Sequence, residues 1–327
     1  MKYSAYYVEE IDGVFSASIS ELELEKPSDG FVQIQVSFSS LNYKDALSAS
    51  GNKGVTRNYP FVPGIDAAGT ISDANSSNFV EGDEVLVTGY DMGMNTPGGF
   101  GEFINVPANW VVKKPSALTS IEAMSIGTAG LTAAASVLKI QESAQESDLP
   151  VLVSGATGGV GSIGVMLMSK LDKEVTALTG KSSSADFLKS IGAENVILRD
   201  DFLEGPVKPM ERPLFSSAID TVGGNVLSKM LTQISPHGVV ACCGNVAGIE
   251  VNTTVFPFIL RGITLAGIDS AESSLEFKTS IWMKYANEWK LDLSPIIKVV
   301  TKENLQQEID LILQGGQQGR VVLKHGE

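Results

Sequence analysis

One stretch constrains the fold more than any other: a short apolar run, a cluster of glycines and a helical pattern follow one another between residues 150 and 164. Residues 151–153 are β-branched or aliphatic, as in a buried parallel strand. Four glycines fall within residues 155–161, and an apolar helical pattern begins directly after them. A glycine turn between a strand and a helix gathers backbone N–H groups at the positive end of the helix dipole. The stretch therefore predicts a site for a dinucleotide pyrophosphate.

The glycine turn can be aligned in two registers. Gly159, Gly161 and Gly164 match G-x-G-x-x-G nominally, but this register begins too far into the helix. The register favoured here places Ala156 where the first glycine would stand. The alternative to a nucleotide site is a plain tight turn. The residues predicted to contact the pyrophosphate are Thr157, Gly158, Gly159, Val160 and Gly161.

Length and composition predict a two-domain globular protein. The chain has 327 residues, of which 43% are hydrophobic and 19% charged. Its net charge of −14 argues against nucleic acid and anionic membrane surfaces as partners. The first ten residues are polar, and no apolar span of about 18 residues is apparent. We therefore expect a cytoplasmic protein.

Cysteine and histidine are too sparse for a metal site. Cys242 and Cys243 are adjacent within an apolar run, which is not the spacing of zinc ligands. The only histidines, His237 and His325, have no partner pattern. We expect no metal and a reduced protein.

Two kinds of pattern divide the chain. Residues 31–36, 64–71 and 83–87 are typical of strands, and the surrounding sequence has little helical period. From residue 150 onward, strands and helices alternate, which predicts a doubly wound parallel sheet and an α/β fold. The six strands of that sheet are predicted at 151–153, 175–178, 195–197, 218–220, 239–243 and 263–268.

The predicted division has three parts. Residues 1–120 form a β-rich domain, and residues 121–260 form the dinucleotide-binding domain, which opens with an alanine-rich helix at 121–139. Residues 261–327 carry the edge strand of the parallel sheet and return to the first domain.

The residues after the second strand of the parallel sheet favour one dinucleotide over another. NAD sites usually have an acid about twenty residues past the glycines, which binds the ribose 2′-hydroxyl. Here Thr179, Gly180 and Lys181 precede three serines, with no carboxylate among them. A cation and hydroxyls suit a 2′-phosphate, so we predict NADP(H). Arg199 is a second candidate cation near that ribose; the alternatives are a solvated polar loop and an isolated surface arginine.

Seven segments match one family in order and together span the chain. They are LNYKD at 41–45, VPGIDAAGT at 62–70, GTAGLTA at 127–133, GATGGVG at 155–161, AIDTVG at 218–223, PFILRG at 257–262 and QGR at 318–320. The ordered set resembles the medium-chain dehydrogenase/reductase superfamily, and most closely its zinc-independent acryloyl-CoA reductases, which are often labelled quinone oxidoreductases.

The resemblance implies a GroES-like catalytic domain completed by the C-terminal segment, an inserted Rossmann domain and an active site between them. It also implies a homodimer that pairs the outer strands near residues 263–268. Zinc-dependent relatives carry Cys in the first segment and His-Glu in the second. This chain has Asn42 at the former and Ile65-Asp66 at the latter, so chemistry without zinc is expected.

The activity that the resemblance implies is hydride transfer from NADPH to the β-carbon of an α,β-unsaturated thioester such as acrylyl-CoA. One alternative is an NADPH:quinone oxidoreductase with the same cofactor. Another, of a different class, is a non-catalytic NADPH-binding sensor or structural protein. A CoA tail needs a positive patch for its phosphates, and Lys44, Lys53 and Arg57 are candidates for it.

Two residues of the first segment are the candidate catalytic groups. Tyr43 is expected to lie beside the nicotinamide, where its phenol donates to the substrate carbonyl, passes a proton or only packs. Asn42 is expected to hydrogen-bond the carboxamide or the substrate. Asp45 and Asp66 are predicted to be structural anchors, paired to Lys44 or to backbone groups, rather than a general acid or base.

Three further residues are predicted to contact the cofactor. Gly244 and Asn245 follow the fifth strand, at the edge that faces the nicotinamide ribose in such sheets. Arg320 is expected to reach a cofactor or substrate phosphate, and the alternative is an arginine that makes a domain contact.

Overall fold

A computed structural model describes residues 1–145, 147–206 and 208–326. The chain forms two compact units, Met1–Thr128 together with Ala271–Glu327, and Ala129–Ser270. The strands are β1 Lys2–Ile11, β2 Val14–Glu23, β3 Phe31–Leu41, β4 Asp66–Asp73, β5 Glu84–Thr88, β6 Phe103–Pro107, β7 Val112–Lys113, β8 Val151–Ser154, β9 Val175–Thr179, β10 Asn195–Leu198, β11 Ala218–Asp220, β12 Val239–Cys242, β13 Thr264–Gly267, β14 Ile297–Val300 and β15 Arg320–Lys324.

Helices connect these strands. The α-helices are α1 Tyr43–Ala49, α2 Ser120–Ser143, α3 Gly159–Lys170, α4 Ala185–Ser190, α5 Arg199–Leu203, α6 Gly224–Thr232, α7 Phe256–Arg261, α8 Leu275–Ala286 and α9 Lys302–Leu313. Short 3₁₀ helices lie at Ala108–Trp110, Ser182–Ser184 and Ser294–Ile296.

The first unit is built around β3. Its alternating sequence buries Val32, Ile34 and Val36, which are at most 3% exposed, in an apolar cluster. In the described part of this unit the strands run in the order β14-β15-β3-β4-β5-β7, and β6 also pairs with β3. β1 and β2 form a separate hairpin. The predicted strands at 31–36, 64–71 and 83–87 are confirmed.

The second unit is a parallel sheet with the order β10-β9-β8-β11-β12-β13. All six predicted strands are confirmed, although the last is shorter than 263–268 and spans Thr264–Gly267. In sequence order these strands run 3-2-1-4-5-6, so the direction of winding reverses between β8 and β11. Ligands of open α/β sheets bind outside the carboxyl ends of the strands at such a reversal. The residues after β8, β9, β11 and β12 are therefore the ones to inspect.

The predicted helix at 121–139 is confirmed as part of α2. Contrary to the expectation that no long apolar span exists, α2 is long and apolar enough to cross a membrane by length and composition, with a mean hydropathy of 1.4. The same window is 67% buried inside the protein, which is also what a core helix shows. At Gly127 the backbone leaves the helical conformation, with φ 49° and ψ −157°. A Cβ there would lie 2.5 Å from Asp66 Oδ2, so this break admits only glycine without rearrangement.

Candidate functional site

The glycine turn after β8 leads directly into α3. The N–H of Gly158 donates to the carbonyl of Gly155 at 2.9 Å, and Gly158 is the N-cap of the helix. Ser162 makes the first helical bond, to the Gly158 carbonyl. The amides of residues 159–161 therefore precede the helical hydrogen-bond ladder and have no acceptor within it. An anion outside this end of the helix meets several N–H donors at once.

Two of the turn glycines are required by close packing. A Cβ on Gly155, where φ is +55°, would overlap the hydroxyl of Thr221, and a Cβ on Gly161 would lie 2.8 Å from Cα of Ala156. Gly158 differs, because a Cβ there would meet only the Gly155 carbonyl, at 3.3 Å. The turn is thus tight on its inner side and open beside the helix end, which fits a bulky phosphate.

The structure agrees with the register that begins at Ala156, because the glycines of the other register all lie within α3. Residues 158–160 are half-buried, whereas Thr157 and Gly161 are buried. Of the residues predicted to contact the pyrophosphate, the partly exposed ones lie at the open end of the helix. The contacts themselves stay a prediction.

Two cations flank the end of β9. Leu198 pairs with Thr179, so Arg199 follows β10 beside Gly180. The Arg199 guanidinium lies 3.2 Å from the position that a Cβ on Gly180 would occupy. Lys181 is the next residue, and burial lowers the pKa of its ammonium group. Arg199 therefore lies beside the residue that precedes Lys181, and its guanidinium also forms an exposed ion pair with Asp200 at 3.4 Å.

The hydroxyl of Thr179 has a different role from the predicted cofactor contact. Thr179 is 2% exposed, and its hydroxyl accepts a hydrogen bond from the Lys181 N–H at 3.1 Å. This bond shapes the turn that carries Gly180 and Lys181. Thr179 therefore supports the turn with its side chain.

Gly244 and Asn245 follow β12 at the carboxyl edge of the same sheet. A Cβ on Gly244 would overlap the Thr221 carbonyl, so only glycine lets the two loops approach this closely. Asn245 is exposed, and its carbonyl accepts from the Gly248 N–H at 3.0 Å. Both residues lie at the predicted edge, and their contact with a cofactor stays a prediction.

In the first unit, Asn42 is engaged by the protein itself. It is the N-cap of α1, and its N–H donates to the Asp45 carboxylate at 2.8 Å. Its side-chain amide donates to Asp66 at 2.8 Å and accepts from Arg320 at 3.2 Å. Both ends of the amide are thus engaged by buried charged groups, and the predicted bond to a carboxamide or substrate stays a prediction.

Tyr43 is the first residue of α1 and is half-buried. Over the residues that the structure describes, its phenol has no hydrogen-bond partner and its ring contacts no other aromatic ring. Tyr43 therefore remains the candidate donor of this unit.

Asp66 is a fully buried anchor. Its carboxylate accepts from the Ser40 hydroxyl at 2.6 Å and from both the N–H and the hydroxyl of Thr128, at 3.0 and 2.6 Å. Asp45 is also buried and accepts from the Ile65 N–H at 2.8 Å. The prediction of anchors paired to backbone groups is confirmed for both residues; among the described contacts neither pairs with Lys44.

The prediction that Arg320 reaches a phosphate is wrong. Its side chain is 2% exposed, and it donates to the Ser125 carbonyl and the Ser40 hydroxyl, both at 2.9 Å. One guanidinium nitrogen also lies 3.9 Å from the Asp66 carboxylate. These buried partners saturate the guanidinium and hold it away from solvent. All of them belong to the first unit, so Arg320 makes a contact within one unit and not the domain contact given as the alternative.

Lys53, which was predicted for a CoA-binding patch, contacts the β1–β2 hairpin, and the patch stays a prediction. It forms an ion pair with Glu10, and its ammonium group lies 5.2 Å from the ring centre of Phe15 and 4.8 Å from that of Tyr59. These contacts hold the cation against the β1–β2 hairpin.

Sequence reasoning missed a polar cluster beneath the glycine turn. The buried Asp220 accepts from the Ser154 hydroxyl at 2.7 Å, and the Thr221 hydroxyl donates to the Ser154 carbonyl at 2.8 Å. The sequence pattern that could have indicated this cluster is the AIDTVG segment, in which an acid ends a buried strand and a hydroxyl residue follows it. No group of three or more potential metal ligands (His, Cys, Asp or Glu) occurs among the described residues.

Family comparisons match both units. Residues 28–116 match the alcohol dehydrogenase GroES-like domain, and residues 159–284 match the zinc-binding dehydrogenase domain. The acrylyl-CoA reductase AcuI of Ruegeria pomeroyi is 37% identical over 317 residues, or 96% of each chain.

Solved structures resemble the whole chain. The YhdH oxidoreductase of Salmonella enterica, in complex with NADP, has a TM-score of 0.94 and 38% identity, covering 99% of this chain and 100% of its own. YhfP of Bacillus subtilis, with NAD bound, has a TM-score of 0.95 and 38% identity, covering 99% of each chain. YhfP is named as a quinone oxidoreductase.

Asp45 makes the stability of the first unit depend on pH. Burial and the charge of Asp66 raise the pKa of Asp45 to about 7, whereas an Asp in the unfolded chain has a pKa of about 3.9. The folded state therefore holds the proton more tightly. The stabilisation is full below about pH 4 and is lost as the pH rises through about 7. We expect Asp45→Asn to flatten this decline in the free energy of unfolding.

Urea unfolding of both proteins between about pH 4 and about pH 8 measures the effect. The exposed Asp186→Asn is the control and should leave the profile parallel to that of the wild type. A parallel profile for Asp45→Asn would show that Asp45 titrates normally.

Proposed function

This chain belongs to the medium-chain dehydrogenase/reductase family and is an oxidoreductase, and from this premise we propose that it uses NADPH to reduce an α,β-unsaturated thioester such as acrylyl-CoA. The relative named acrylyl-CoA reductase aligns over 96% of both chains, which supports this substrate class. The name of YhfP makes a quinone the alternative acceptor.

The observation that carries the cofactor proposal is the pair of cations beside Gly180. Lys181 and the Arg199 guanidinium flank the end of β9, and residues 179–184 contain no acid that would repel a phosphate. We assign these two cations to the 2′-phosphate of NADP(H). The amides of residues 159–161 would hold the pyrophosphate, and Gly244 and Asn245 would lie on the nicotinamide side. YhdH was crystallised with NADP and YhfP with NAD, so the preference needs a direct test.

Bound NADPH supplies a hydride for the β-carbon of the substrate, and a proton then completes the reduction at the α-carbon. The contribution of the protein is to stabilise the negative charge that develops on the carbonyl oxygen. We assign this role to the Tyr43 hydroxyl, which is partly exposed and has no partner among the described residues.

We further propose that the reaction proceeds without zinc. Asn42, Ile65 and Asp66 stand where the resemblance places the zinc ligands of relatives. The Asp66 carboxylate is already occupied by several donors, and a guanidinium nitrogen of Arg320 lies 3.9 Å away. A buried positive charge there opposes the binding of a metal cation.

The second unit presents an apolar surface that we assign to a second copy of the chain. β13 is the edge strand of the parallel sheet, and Leu265 on it is 37% exposed. On α7, Phe256, Ile259 and Leu260 are 45%, 68% and 61% exposed. An exposed edge strand pairs readily with a strand of another chain, and an exposed apolar patch favours burial in an interface. A homodimer through β13 would pair the edge strand and bury the apolar residues of α7.

An assay with three acceptors tests the activity. We expect NADPH oxidation to be fastest with acrylyl-CoA and slower with crotonyl-CoA and 1,4-benzoquinone, each tested in parallel at matched concentrations. A quinone rate far above both thioester rates would reverse the proposed order. Failure of all three to oxidise bound NADPH would favour the non-catalytic alternative.

Lys181→Ala tests the cofactor assignment. Because a hydrogen bond to a charged group contributes about 1.5–3 kcal/mol, we expect the Kd for NADPH to rise at least about tenfold. The Kd for NADH should change little, since NADH lacks the 2′-phosphate. Lys170→Ala, at the exposed C-terminal end of α3, is the control. Equal weakening of both coenzymes by Lys181→Ala would refute the assignment.

Tyr43→Phe removes only the phenolic hydroxyl. We expect kcat to fall about a hundredfold, as for loss of one donor to a developing oxyanion, while the Kd for NADPH stays within about twofold. Steady-state kinetics with acrylyl-CoA and a binding titration separate these effects. An unchanged kcat would leave Tyr43 with a packing role.

Ile259→Asp tests the dimer. A charge in the proposed apolar interface should convert a particle of two chains into one, as measured by light scattering after size-exclusion chromatography. Val80→Asp, at a residue of the first unit that is 62% exposed, should leave the mass unchanged. A wild-type protein that elutes as a single chain would contradict the proposal.

A further inference from the structure

The carboxylate of Asp220 lies below the carboxyl edge of the parallel sheet. Asp220 ends β11, which runs between β8 and β12, and it is fully buried. Among the described residues it forms no salt bridge within 4.0 Å. A buried carboxylate without a cation is costly unless other donors satisfy it. The groups that donate hydrogen bonds to Asp220 therefore show which parts of the backbone it holds in place.

These donors lie at or just after the carboxyl ends of three neighbouring strands, β8, β11 and β12. Ser154, which ends β8, donates its hydroxyl to Oδ1 of Asp220 at 2.7 Å. After β11, the N–H of Gly223 donates to Oδ2 at 2.9 Å. At the end of β12, Cys242 Sγ lies 3.7 Å from Oδ2, and the Cys243 N–H donates to the Asp220 carbonyl at 2.9 Å. One residue therefore joins the starts of the loops that follow β8, β11 and β12.

Ser154 transmits this constraint to the glycine turn. Its hydroxyl also accepts from the Thr221 N–H at 3.0 Å, and the Thr221 hydroxyl donates back to the Ser154 carbonyl at 2.8 Å. The next residue is Gly155, which has φ +55° and approaches Thr221 too closely for any side chain. The bonds to Ser154 and Thr221 thus fix the point at which the chain turns towards α3.

The charge of Asp220 cannot serve to attract the cofactor. A carboxylate beneath a phosphate site repels the phosphate, and burial raises the pKa of Asp220, although its hydrogen bonds oppose this shift. The role left for Asp220 is to hold the backbone around the glycine turn in position. A site built from backbone amides depends on their directions, and small displacements weaken such binding.

We propose that Asp220, acting through Ser154 and Thr221, is a positioning residue that fixes the pyrophosphate-binding turn for the coenzyme. The proposal rests on the proposed function, because it requires that the glycine turn bind a dinucleotide. It predicts a weakening that is independent of the 2′-phosphate, since the pyrophosphate is common to NADPH and NADH.

A matched pair of serine variants tests it. Ser154→Ala removes the hydroxyl that joins Asp220 to Thr221. Ser217→Ala is the control: Ser217 is also buried, and its hydroxyl accepts from the Val239 N–H at 3.0 Å, but it lies at the opposite, amino-terminal end of β11 and β12. Each variant loses one buried hydroxyl between neighbouring strands, and thermal unfolding measures the destabilisation of each. Ser154→Ala should be the less stable of the two, because it also loses a bond to a carboxylate.

Coenzyme titrations followed by nucleotide fluorescence show whether Ser154 positions the coenzyme-binding turn or only stabilises the fold. We expect Ser154→Ala to raise the Kd for NADPH and the Kd for NADH by the same factor, about tenfold, because the amides of the turn are displaced from their directions towards the pyrophosphate. Ser217→Ala should leave both within about twofold of the wild type. Asp220→Asn keeps the side-chain volume but replaces one acceptor oxygen by an N–H₂ group, which cannot accept from the donors around it. If this variant folds, its increase in both Kd values should match or exceed that of Ser154→Ala.

Two results would overturn the inference. Wild-type affinity in Ser154→Ala would show that the turn does not depend on the cluster. Equal weakening in Ser154→Ala and Ser217→Ala would show that the effect is one of general stability. If the wild-type protein bound neither coenzyme, the proposed function itself would fail, and this result is distinct from the other two.

Discussion

The second unit depends on the close approach of backbone segments at the carboxyl edge of its sheet. Gly155 and Gly244 both contact Thr221 where a side chain would overlap it, and Gly161 packs against Ala156. These contacts set the distance between β8, β11 and the start of α3. The first amides of α3 have no acceptor within the helix, and such amides are the physical basis of an anion site. The identity of the anion is then decided elsewhere, at the end of β9.

The first unit solves a different problem, the burial of charge. Asp45, Asp66 and Arg320 are all buried around the start of α1, where hydroxyl, amide or carbonyl groups bond to their charged side chains. The network fixes Asn42 as a helix cap and leaves Tyr43 as the partly exposed polar side chain that follows it. The buried groups here hold the backbone, whereas the proposed donor, Tyr43, is only half-buried.

Local patterns were sufficient to predict the parallel sheet, its glycine turn and the position of Arg199 beside the end of β9, because each depends on residues close in sequence or on neighbouring strands. Binding of a phosphate by Lys181 and Arg199 stays a prediction. The buried position of Arg320 could not be predicted because its partners are remote in sequence: Arg320 binds Ser40, which is 280 residues away. Lys53 likewise pairs with the distant Glu10 of β1. A single sequence shows a charged side chain without showing whether it is buried. The cluster around Asp220 was missed for the same reason, although its residues stood within a matched segment.

The proposal that Lys181 and Arg199 bind a ribose 2′-phosphate can be tested without the rest of the coenzyme. Calorimetric titration of the wild-type protein with adenosine 2′,5′-bisphosphate and with 5′-AMP is the test, because the two ligands differ only in the 2′-phosphate. We predict a Kd for the bisphosphate at least about tenfold below that for 5′-AMP, with a difference that shrinks as salt is added. Equal affinities, or tighter binding of 5′-AMP, would contradict the assignment.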